Sequence, residues 1–268
     1  MSELLAHERV MADGSRPRHW LYVLHGIFGA GRNWGSVARR VIRERPDWGC
    51  VLVDLRQHGA SQGFAPPHTI AAAADDITRM AATIDPPSAV LGHSFGGKVA
   101  LAYAATTPAA LRQVWLVDAT PAAREPSGSA WRMLEVVRAL PDAFASRDEL
   151  TGALEQAGFE RPTAQWMAMN LERGAGALRW RFDLAAIEEL MLDFFRTDLW
   201  SVIERPPDGV SIHVVRATES SVLGPEAVQR IQRVGSPVRL HQVEGGHWLN
   251  ADNPDALVAL LARELPRG

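Results

Sequence analysis

Short apolar runs alternate with stretches of helical periodicity along most of this chain. Runs without polar alternation are typical of strands that are buried on both faces of a sheet. Strands that alternate with helices usually pair in parallel, and the helices then cover both faces. The sequence therefore predicts an α/β fold with a mostly parallel sheet. The predicted strands are 5–11, 20–24, 50–53, 89–91, 114–117, 212–215 and 240–243, and the predicted helices are 69–84, 98–105, 226–234, 254–265 and one from about residue 34 to before Pro46.

This alternation is interrupted between residues 120 and 203, where the pattern is helical and no strand is predicted. The interruption follows an apolar strand that ends in Asp118 and precedes the next strand of the sheet. We interpret it as a helical lid, or cap, inserted into the sheet domain. The expected organisation is a core formed by residues 1–119 and 204–268, with the lid at 120–203.

Composition and charge argue against several classes of function. The chain has 28 Lys and Arg against 31 Asp and Glu, and a net charge of -3 gives no electrostatic reason to bind nucleic acid or an anionic membrane. The single cysteine, Cys50, cannot form an internal disulfide, and no zinc-binding spacing occurs. Acidic residues at Glu3 and Glu8, with no apolar run after them, disfavour a signal peptide. We expect a cytoplasmic protein with no metal, nucleic-acid or membrane partner.

A Gly-x-Ser-x-Gly motif lies at residues 92–96, between a predicted strand and a predicted helix. In this context the motif is typical of a nucleophile elbow, in which a sharp turn exposes the serine at the carboxyl edge of the sheet. Gly92 and Gly96 would let the strand and the helix approach closely, because a glycine has no Cβ atom. The motif predicts that Ser94 is a nucleophile.

A serine nucleophile needs a base, and an acid that orients the base. His247 lies in a loop between the last predicted strand and the last helix, from which it can reach the sheet edge. For the acid we favour Asp118, which closes a strand at the same edge as Ser94. Glu219, in the loop after the strand at 212–215, is an alternative. A site that uses Ser220, or has no acid, also stays open.

Two backbone amides are predicted to stabilise the oxyanion of the reaction. The glycine-rich turn at 25–29 follows the first buried strand and leaves the N–H of Ile27 free to point at the reaction centre. The second donor is the N–H of Phe95, the residue after the nucleophile.

The segment 92–98 also fits the first seven positions of a phosphate-binding P-loop. The eighth position is Val99, which lacks the hydroxyl that would hold magnesium. A P-loop also leaves Ile27, His247 and the lid unexplained, so we do not favour nucleotide binding.

Further motifs occur in the same order as in a known group of enzymes. They span 21–29 with Asn33 and Trp34, then 53–61, 92–100, 117–118, 179–184 and 246–248. With these motifs the chain resembles the α/β-hydrolase superfamily, and most closely its YbfF-type serine esterases.

The resemblance implies hydrolysis of an acyl ester or thioester, with Asp118 as the acid. It also implies that Ser220 stands where many members of the wider superfamily carry that acid. The sequence departs from the expected glycine-rich turn at 217–219, where Glu219 adds a carboxylate. The turn at 54–61 is similar to a loop that braces the sheet edge, so it is not expected to belong to the site.

We therefore predict a cofactor-free serine hydrolase that cleaves small to medium acyl esters or thioesters through an acyl-enzyme on Ser94. Its expected partner is a small-molecule acyl substrate. Two alternatives share these features: a ligand-binding protein of the same fold with little turnover, and a carbon–carbon hydrolase or cofactor-free haloperoxidase. The predicted substrate-binding residues are Phe28, Met169, Phe195, Ser220 and Trp248.

Overall fold

A seven-stranded sheet forms the centre of the protein. The computed structural model describes residues 4–174 and 176–267, so Glu3 of the amino-terminal prediction lies outside the described residues. The strand order is β1-β3-β2-β4-β5-β9-β10, and every neighbouring pair is parallel except β1 with β3. The predicted mostly parallel α/β architecture is confirmed. The strands of this sheet are β1 (His7–Val10), β2 (His19–Leu24), β3 (Trp48–Val53), β4 (Ala89–His93), β5 (Gln113–Val117), β9 (Ser211–Ala217) and β10 (Val238–Val243).

Helices pack on both faces of the sheet. Alternate residues of each strand point to opposite faces, and the buried residues accordingly form two separate clusters. Tyr22 and Leu24 belong to the cluster that contains the buried faces of α2 and α3. Leu21 and Val23 belong to the cluster that contains those of α1 and α11. These helices are α1 (Gly35–Glu44), α2 (Ile70–Ala81), α3 (Phe95–Ala105) and α11 (Pro254–Glu264), while α9 (Pro225–Val234) precedes β10 and α10 (Leu249–Asp252) precedes α11.

Local sequence signals explain where several helices begin. The Thr69 side chain accepts a hydrogen bond from Ala72 N–H and caps α2. Asn253 caps α11 in the same way through Ala256 N–H, and Pro254 follows at the first helical position, where its missing N–H has no partner to lose. Within residues 4–174 and 176–267, no helix has the length and apolarity needed to cross a bilayer.

Residues 120–203, called the cap segment here, lie between β5 and the last elements of the sheet. The expectation that they contain no strand was wrong. Three short strands form a small antiparallel sheet in the order β6-β8-β7. Strands of two or three residues are too short to show an alternating pattern, so the sequence gives no signal for them. The division into core and lid stays a prediction. The segment contains α4 (Gly128–Ala139), β6 (Ala143–Phe144), α5 (Arg147–Gln156), α6 (Arg161–Ala168), β7 (Leu171–Arg173), β8 (Leu178–Trp180) and α7 (Leu184–Arg196), and α8 (Trp200–Glu204) follows at its end.

Candidate active site

The loops that follow four parallel strands bring the predicted site residues to one edge of the sheet. Ser94 directly follows β4, and Asp118 directly follows β5. Ile27 lies in the loop after β2, and His247 lies in the loop after β10. Because the carboxyl ends of parallel strands share an edge, residues that are far apart in sequence meet there.

Ser94 is held in a strained turn between β4 and α3. Its backbone has φ of 52° and ψ of −115°, a conformation that residues with a side chain rarely adopt. A Cβ atom on Gly92 would overlap the carbonyl group of Gly96, and one on Gly96 would overlap the Leu24 carbonyl at the end of β2. Both glycines are therefore required for the close approach of strand and helix, as a nucleophile elbow needs.

His247 and Asp118 form a hydrogen-bonded pair. The His247 Nδ1 atom lies 2.7 Å from Asp118 Oδ2. The Asp118 carboxylate is fully buried, and its other oxygen accepts a hydrogen bond of 3.2 Å from Ala217 N–H. Glu219, the alternative acid, is exposed, and its side chain makes no hydrogen bond or ion pair with any described residue. The geometry thus pairs the imidazole with Asp118 and not with Glu219.

Neither Ser94 Oγ nor His247 Nε2 has a hydrogen-bond partner in the described part of the chain. Both residues line the same two cavities, together with Ile27. Catalytic hydrogen bonds are often long before a substrate binds and shorten in the complex. The hydroxyl and the free imidazole nitrogen are therefore both open to the cavity in which a substrate would react.

The loop after β2 orients the Ile27 amide. The carbonyl oxygen of Gly26 belongs to the same peptide unit, and it accepts hydrogen bonds from His25 Nδ1 at 2.7 Å and from Gly29 N–H at 3.0 Å. Since N–H and C=O point in opposite directions in a trans peptide, these contacts aim the Ile27 N–H away from the loop. Among described residues, the N–H groups of Ile27 and Phe95 have no acceptor.

Two buried histidines, His25 and His58, stabilise the loop after β2 through hydrogen bonds. Burial lowers the pKa of His25 to about 4 and that of His58 to about 3, so both rings are neutral at pH 7. A neutral ring has one donor and one acceptor nitrogen. The Nε2 atom of His25 accepts from Leu55 N–H at 3.0 Å, and that of His58 accepts from Phe28 N–H at 3.1 Å. The turn at 54–61 thus braces the site without lining the two cavities, as the resemblance implied.

His93 supports the base rather than the nucleophile. Its Nε2 atom donates to the carbonyl oxygen of His247 at 2.8 Å, and the two ring centroids are 4.7 Å apart. Burial lowers the pKa of His93 to about 3, which keeps the ring neutral. No three His, Cys, Asp or Glu side chains in the described ranges form a group that could hold a metal ion.

Two cavities meet at Ser94. The first has a volume of about 260 Å³ and is lined mostly by apolar side chains of the cap segment and the sheet edge. The second has a volume of about 280 Å³ and mixes apolar with polar side chains. The first contains Phe28, Met133, Phe159, Trp166 and Trp248. The second contains Phe95, Arg124, Met191, Phe194, Phe195 and Ser220.

Of the predicted substrate-binding residues, Phe28 and Trp248 line the first cavity, and Phe195 and Ser220 line the second. Met169 lines neither, and its side chain is 50% exposed, so the structure contradicts its prediction. Met169 is the C-cap residue of α6 and keeps a right-handed helical backbone, but its side chain lies on the exposed side of the turn. Apolar character alone does not distinguish the buried face of a short helix from its exposed face.

Sequence reasoning missed several cavity residues, most of them in the cap segment. Trp166 contributes to the helical pattern of the segment, but nothing in its spacing distinguishes it from a core residue. The ring centroids of Trp166 and Trp248 are 4.7 Å apart. Together the two rings form one side of the first cavity. A contact between residues so distant in sequence could be found only from the structure.

Lys98 does not point toward a phosphate site, as the P-loop alternative would require. Its side chain is completely buried, and Nζ donates to three carbonyl oxygens at 2.6 to 2.8 Å. Burial lowers its pKa to about 8. Every donor of the ammonium is therefore used within the protein. The three acceptors are the carbonyl groups of Ala122, Phe194 and Thr197.

The chain is similar to known proteins over most of its length. The sequence model of the alpha/beta hydrolase family matches residues 21–260. A protein of Xenopus tropicalis named sn-1-specific diacylglycerol lipase ABHD11 is 28% identical over 90% of this chain and 76% of its own length. The esterase YbfF of Escherichia coli is 23% identical over 91% of this chain and 92% of its own length.

Solved structures show the same fold. The structure described as a marine microorganism esterase superposes with a TM-score of 0.85, covering 98% of this chain and 100% of the other at 22% sequence identity.

Proposed function

Because the chain belongs to the alpha/beta hydrolase family, we propose that it cleaves small to medium acyl esters or thioesters through an acyl-enzyme on Ser94. It is a hydrolase that acts on ester bonds, the activity that the names of its lipase and esterase relatives share. The observation that carries the mechanism is the His247–Asp118 pair, whose imidazole lines the same cavity as Ser94 and Ile27.

In the first half of the reaction, His247 Nε2 takes the proton of Ser94 as its oxygen attacks the ester carbonyl. Asp118 accepts the Nδ1 hydrogen, which fixes the tautomer and stabilises the imidazolium. The carbonyl oxygen becomes an oxyanion that the Ile27 and Phe95 amides bind, each contributing about 2.7 to 4 kcal/mol to transition-state stabilisation. The amino terminus of α3, at Phe95, also favours negative charge there.

The tetrahedral intermediate then expels the alcohol or thiol, which takes its proton from His247, and leaves an acyl group on Ser94. In the second half, a water molecule gives a proton to His247 and attacks the acyl carbonyl. The carboxylic acid leaves as the proton returns to Ser94. The protein, the ester and one water supply every proton and electron pair, in keeping with the predicted absence of a cofactor.

We assign the acyl group to the first cavity and the leaving group to the second. The lining of the first cavity is mostly apolar and includes Phe28, Phe159, Trp166 and Trp248, which favour a hydrocarbon chain, although Arg132 and Glu160 also line it. The second cavity includes Ser220 and Arg124, which suit an oxygen-rich alcohol. Volumes of about 260 and 280 Å³ lie just below the usual range for ligand pockets, which favours small to medium groups.

The test is to replace the nucleophile and follow labelling and turnover together. Ser94→Ala should abolish labelling by a fluorophosphonate and lower p-nitrophenyl butyrate hydrolysis by a factor on the order of 10⁴ or more. Ser211→Ala, at the opposite edge of the sheet, is the matched control and should keep both. Unchanged labelling of Ser94→Ala would refute the assignment. A wild-type protein that turns over no ester would favour the ligand-binding alternative.

The cytoplasmic location predicted from the sequence is part of the same proposal. It is supported by the single cysteine, Cys50, which leaves no pair for the structural disulfides that are common in oxidising compartments.

A further inference from the structure

Asn170 of the cap segment contacts the loop that carries Ile27. Its Nδ2 atom donates a hydrogen bond of 2.9 Å to the carbonyl oxygen of Phe28, 142 positions away in the sequence. The Asn170 residue is only 5% exposed, so this bond is shielded from water. A buried carbonyl without a donor is costly, and the bond is therefore a substantial link between the cap segment and the sheet edge.

The backbone of Asn170 is fixed independently of its side chain. Its N–H donates to the Met167 carbonyl at 3.0 Å, in the turn that ends α6. Its carbonyl accepts from Arg181 N–H, also at 3.0 Å, beside the small antiparallel sheet. The position of the side-chain amide is therefore set by the cap segment, and it follows the cap segment if that segment moves.

Phe28, the acceptor, has a strained backbone that its neighbours must maintain. Its φ is 61°, in the left-handed region that residues with a side chain rarely occupy. The core holds its N–H through His58 Nε2 at 3.1 Å. The cap segment holds its carbonyl through Asn170 and packs the ring of Phe182 at 5.8 Å from its ring. Phe28 is thus held by the core on one side and by the cap segment on the other.

The Phe28 carbonyl is connected to the Ile27 amide by a short chain of hydrogen bonds. The Phe28 carbonyl and the Gly29 N–H belong to one peptide unit, and that N–H donates to the Gly26 carbonyl at 3.0 Å. The Gly26 carbonyl and the Ile27 N–H belong to a second peptide unit, so this hydrogen bond links the two units. A donor at the Phe28 carbonyl therefore orients and polarises both units, since linked hydrogen bonds strengthen one another.

We propose that Asn170 is a positioning residue through which the docked cap segment orients the Ile27 N–H toward the oxyanion. The proposal rests on the function proposed above. It explains why an amide stands at this position: an ionised aspartate offers no hydrogen to the Phe28 carbonyl, and an apolar side chain would leave that carbonyl unpaired. The oxyanion site is then complete only when the cap segment is docked on the core.

The test uses Asn170→Asp, which keeps the size of the side chain and removes the donor. We expect kcat for p-nitrophenyl butyrate to fall about 10- to 100-fold, while KM changes less than about threefold, because the oxyanion forms only during the reaction. The affinity for an alkyl boronic acid, which forms a tetrahedral adduct with Ser94, should fall by a similar factor. If Asn170 had only a structural role, its replacement would not lower kcat and the boronate affinity by similar factors.

The matched control is Arg147→Met. Arg147 donates to the carbonyl of Leu171 at 2.7 Å, the residue next to Asn170, but does not contact Phe28. The Arg147→Met substitution should therefore reduce the stability of the cap segment and leave kcat and boronate affinity at the wild-type level. If Asn170→Asp does not fold, Asn170→Ala tests the same point, because it also removes the donor without adding a charge.

A folded Asn170 variant with wild-type kcat and boronate affinity would overturn the inference, and so would an equal loss in Arg147→Met. Failure of the proposed function would look different. In that case the wild-type protein itself would not bind the boronate, or Ser94→Ala would bind it as well as the wild type does.

Discussion

The imidazole of His247 lies with its Nδ1 atom 2.7 Å from Asp118 Oδ2, although the two residues are 129 positions apart. An ionised carboxylate only accepts hydrogen bonds, so Nδ1 carries the hydrogen. This leaves Nε2 as the acceptor nitrogen, which is the tautomer that a general base for Ser94 requires.

Replacing the acid should separate Asp118 from Glu219. We expect Asp118→Asn to lower kcat by a factor on the order of 10⁴, because an amide in place of the carboxylate favours the wrong tautomer of the base. Glu219→Gln should lower kcat far less, by less than about threefold. Steady-state kinetics with p-nitrophenyl butyrate check this. A larger loss in Glu219→Gln than in Asp118→Asn would reverse the assignment.

The first cavity should set the preference for acyl length. Trp166→Ala removes an aromatic wall from that cavity and should shift the highest kcat/KM toward longer acyl chains in a series of p-nitrophenyl esters. Met169→Ala is the matched control from the same part of the cap segment, and it should leave the profile unchanged because Met169 lines neither cavity beside Ser94. Identical profiles for the wild type and Trp166→Ala would contradict the assignment of the acyl group.

The elbow should tolerate no side chain at Gly96. Gly96→Ala places a methyl group against the Leu24 carbonyl and should lower the free energy of unfolding by at least about 2 kcal/mol. Gly152→Ala, in α5, is the control, since a Cβ there meets no atom within 4 Å. It should stabilise the protein by roughly 0.5 to 1 kcal/mol. Urea unfolding measures both changes, and equal effects would argue against close packing at the elbow.

Acid should destabilise the fold through its buried histidines. Burial lowers the pKa to about 4 for His25 and His213 and to about 3 for His58 and His93. Unfolded histidines have a pKa near 6.5, so below that pH the unfolded chain binds more protons. The four histidines therefore contribute their full share of the free energy of unfolding above about pH 6.5. This contribution declines as the pH falls toward 4, by about 1.4 kcal/mol per pH unit for each group.

His213→Gln removes one of these contributions, together with the contact between His213 Nδ1 and His241 Nε2 at 3.1 Å. His213 packs on Trp115 at 4.1 Å, away from Ser94, so the variant should keep its activity. Between pH 6 and 5, its unfolding free energy should fall less steeply than that of the wild type, by about 1 kcal/mol per pH unit. Above pH 7.5 the two curves should run parallel. Equal slopes in the acid range would show that His213 titrates normally in the folded protein.

The positions of Ser94 and His247 at one sheet edge could be predicted because each follows a strand that the apolar pattern reveals. Parallel pairing then brings the strand ends together without further information. The choice between Asp118 and Glu219 could not be made from spacing, because both residues follow strands that end at this edge. It depends on which carboxylate is buried, and burial is a property of the folded chain.

The cap segment was harder to predict for a physical reason. Its strands are too short for a periodic pattern, and its cavity residues are selected by contacts with the core rather than by their own helix. The sequence predicts Met169 of this segment as a pocket residue, yet it lies on the exposed side of the turn that ends α6. Asn170, its neighbour, is buried and reaches Phe28, and no local pattern distinguishes the two.

The buried ammonium of Lys98 restricts how the cap segment can move relative to the sheet. It joins the helix behind the nucleophile to Ala122, near the beginning of the cap segment, and to Phe194 and Thr197, near its end. Lys98 thus bonds both ends of the cap segment to the same helix, α3. A displacement of the distant half, around α5 and α6, would leave these two ends in place and break the bond from Asn170 to Phe28. Under the inference drawn above, the Ile27 amide would lose its orientation for as long as that bond stays broken.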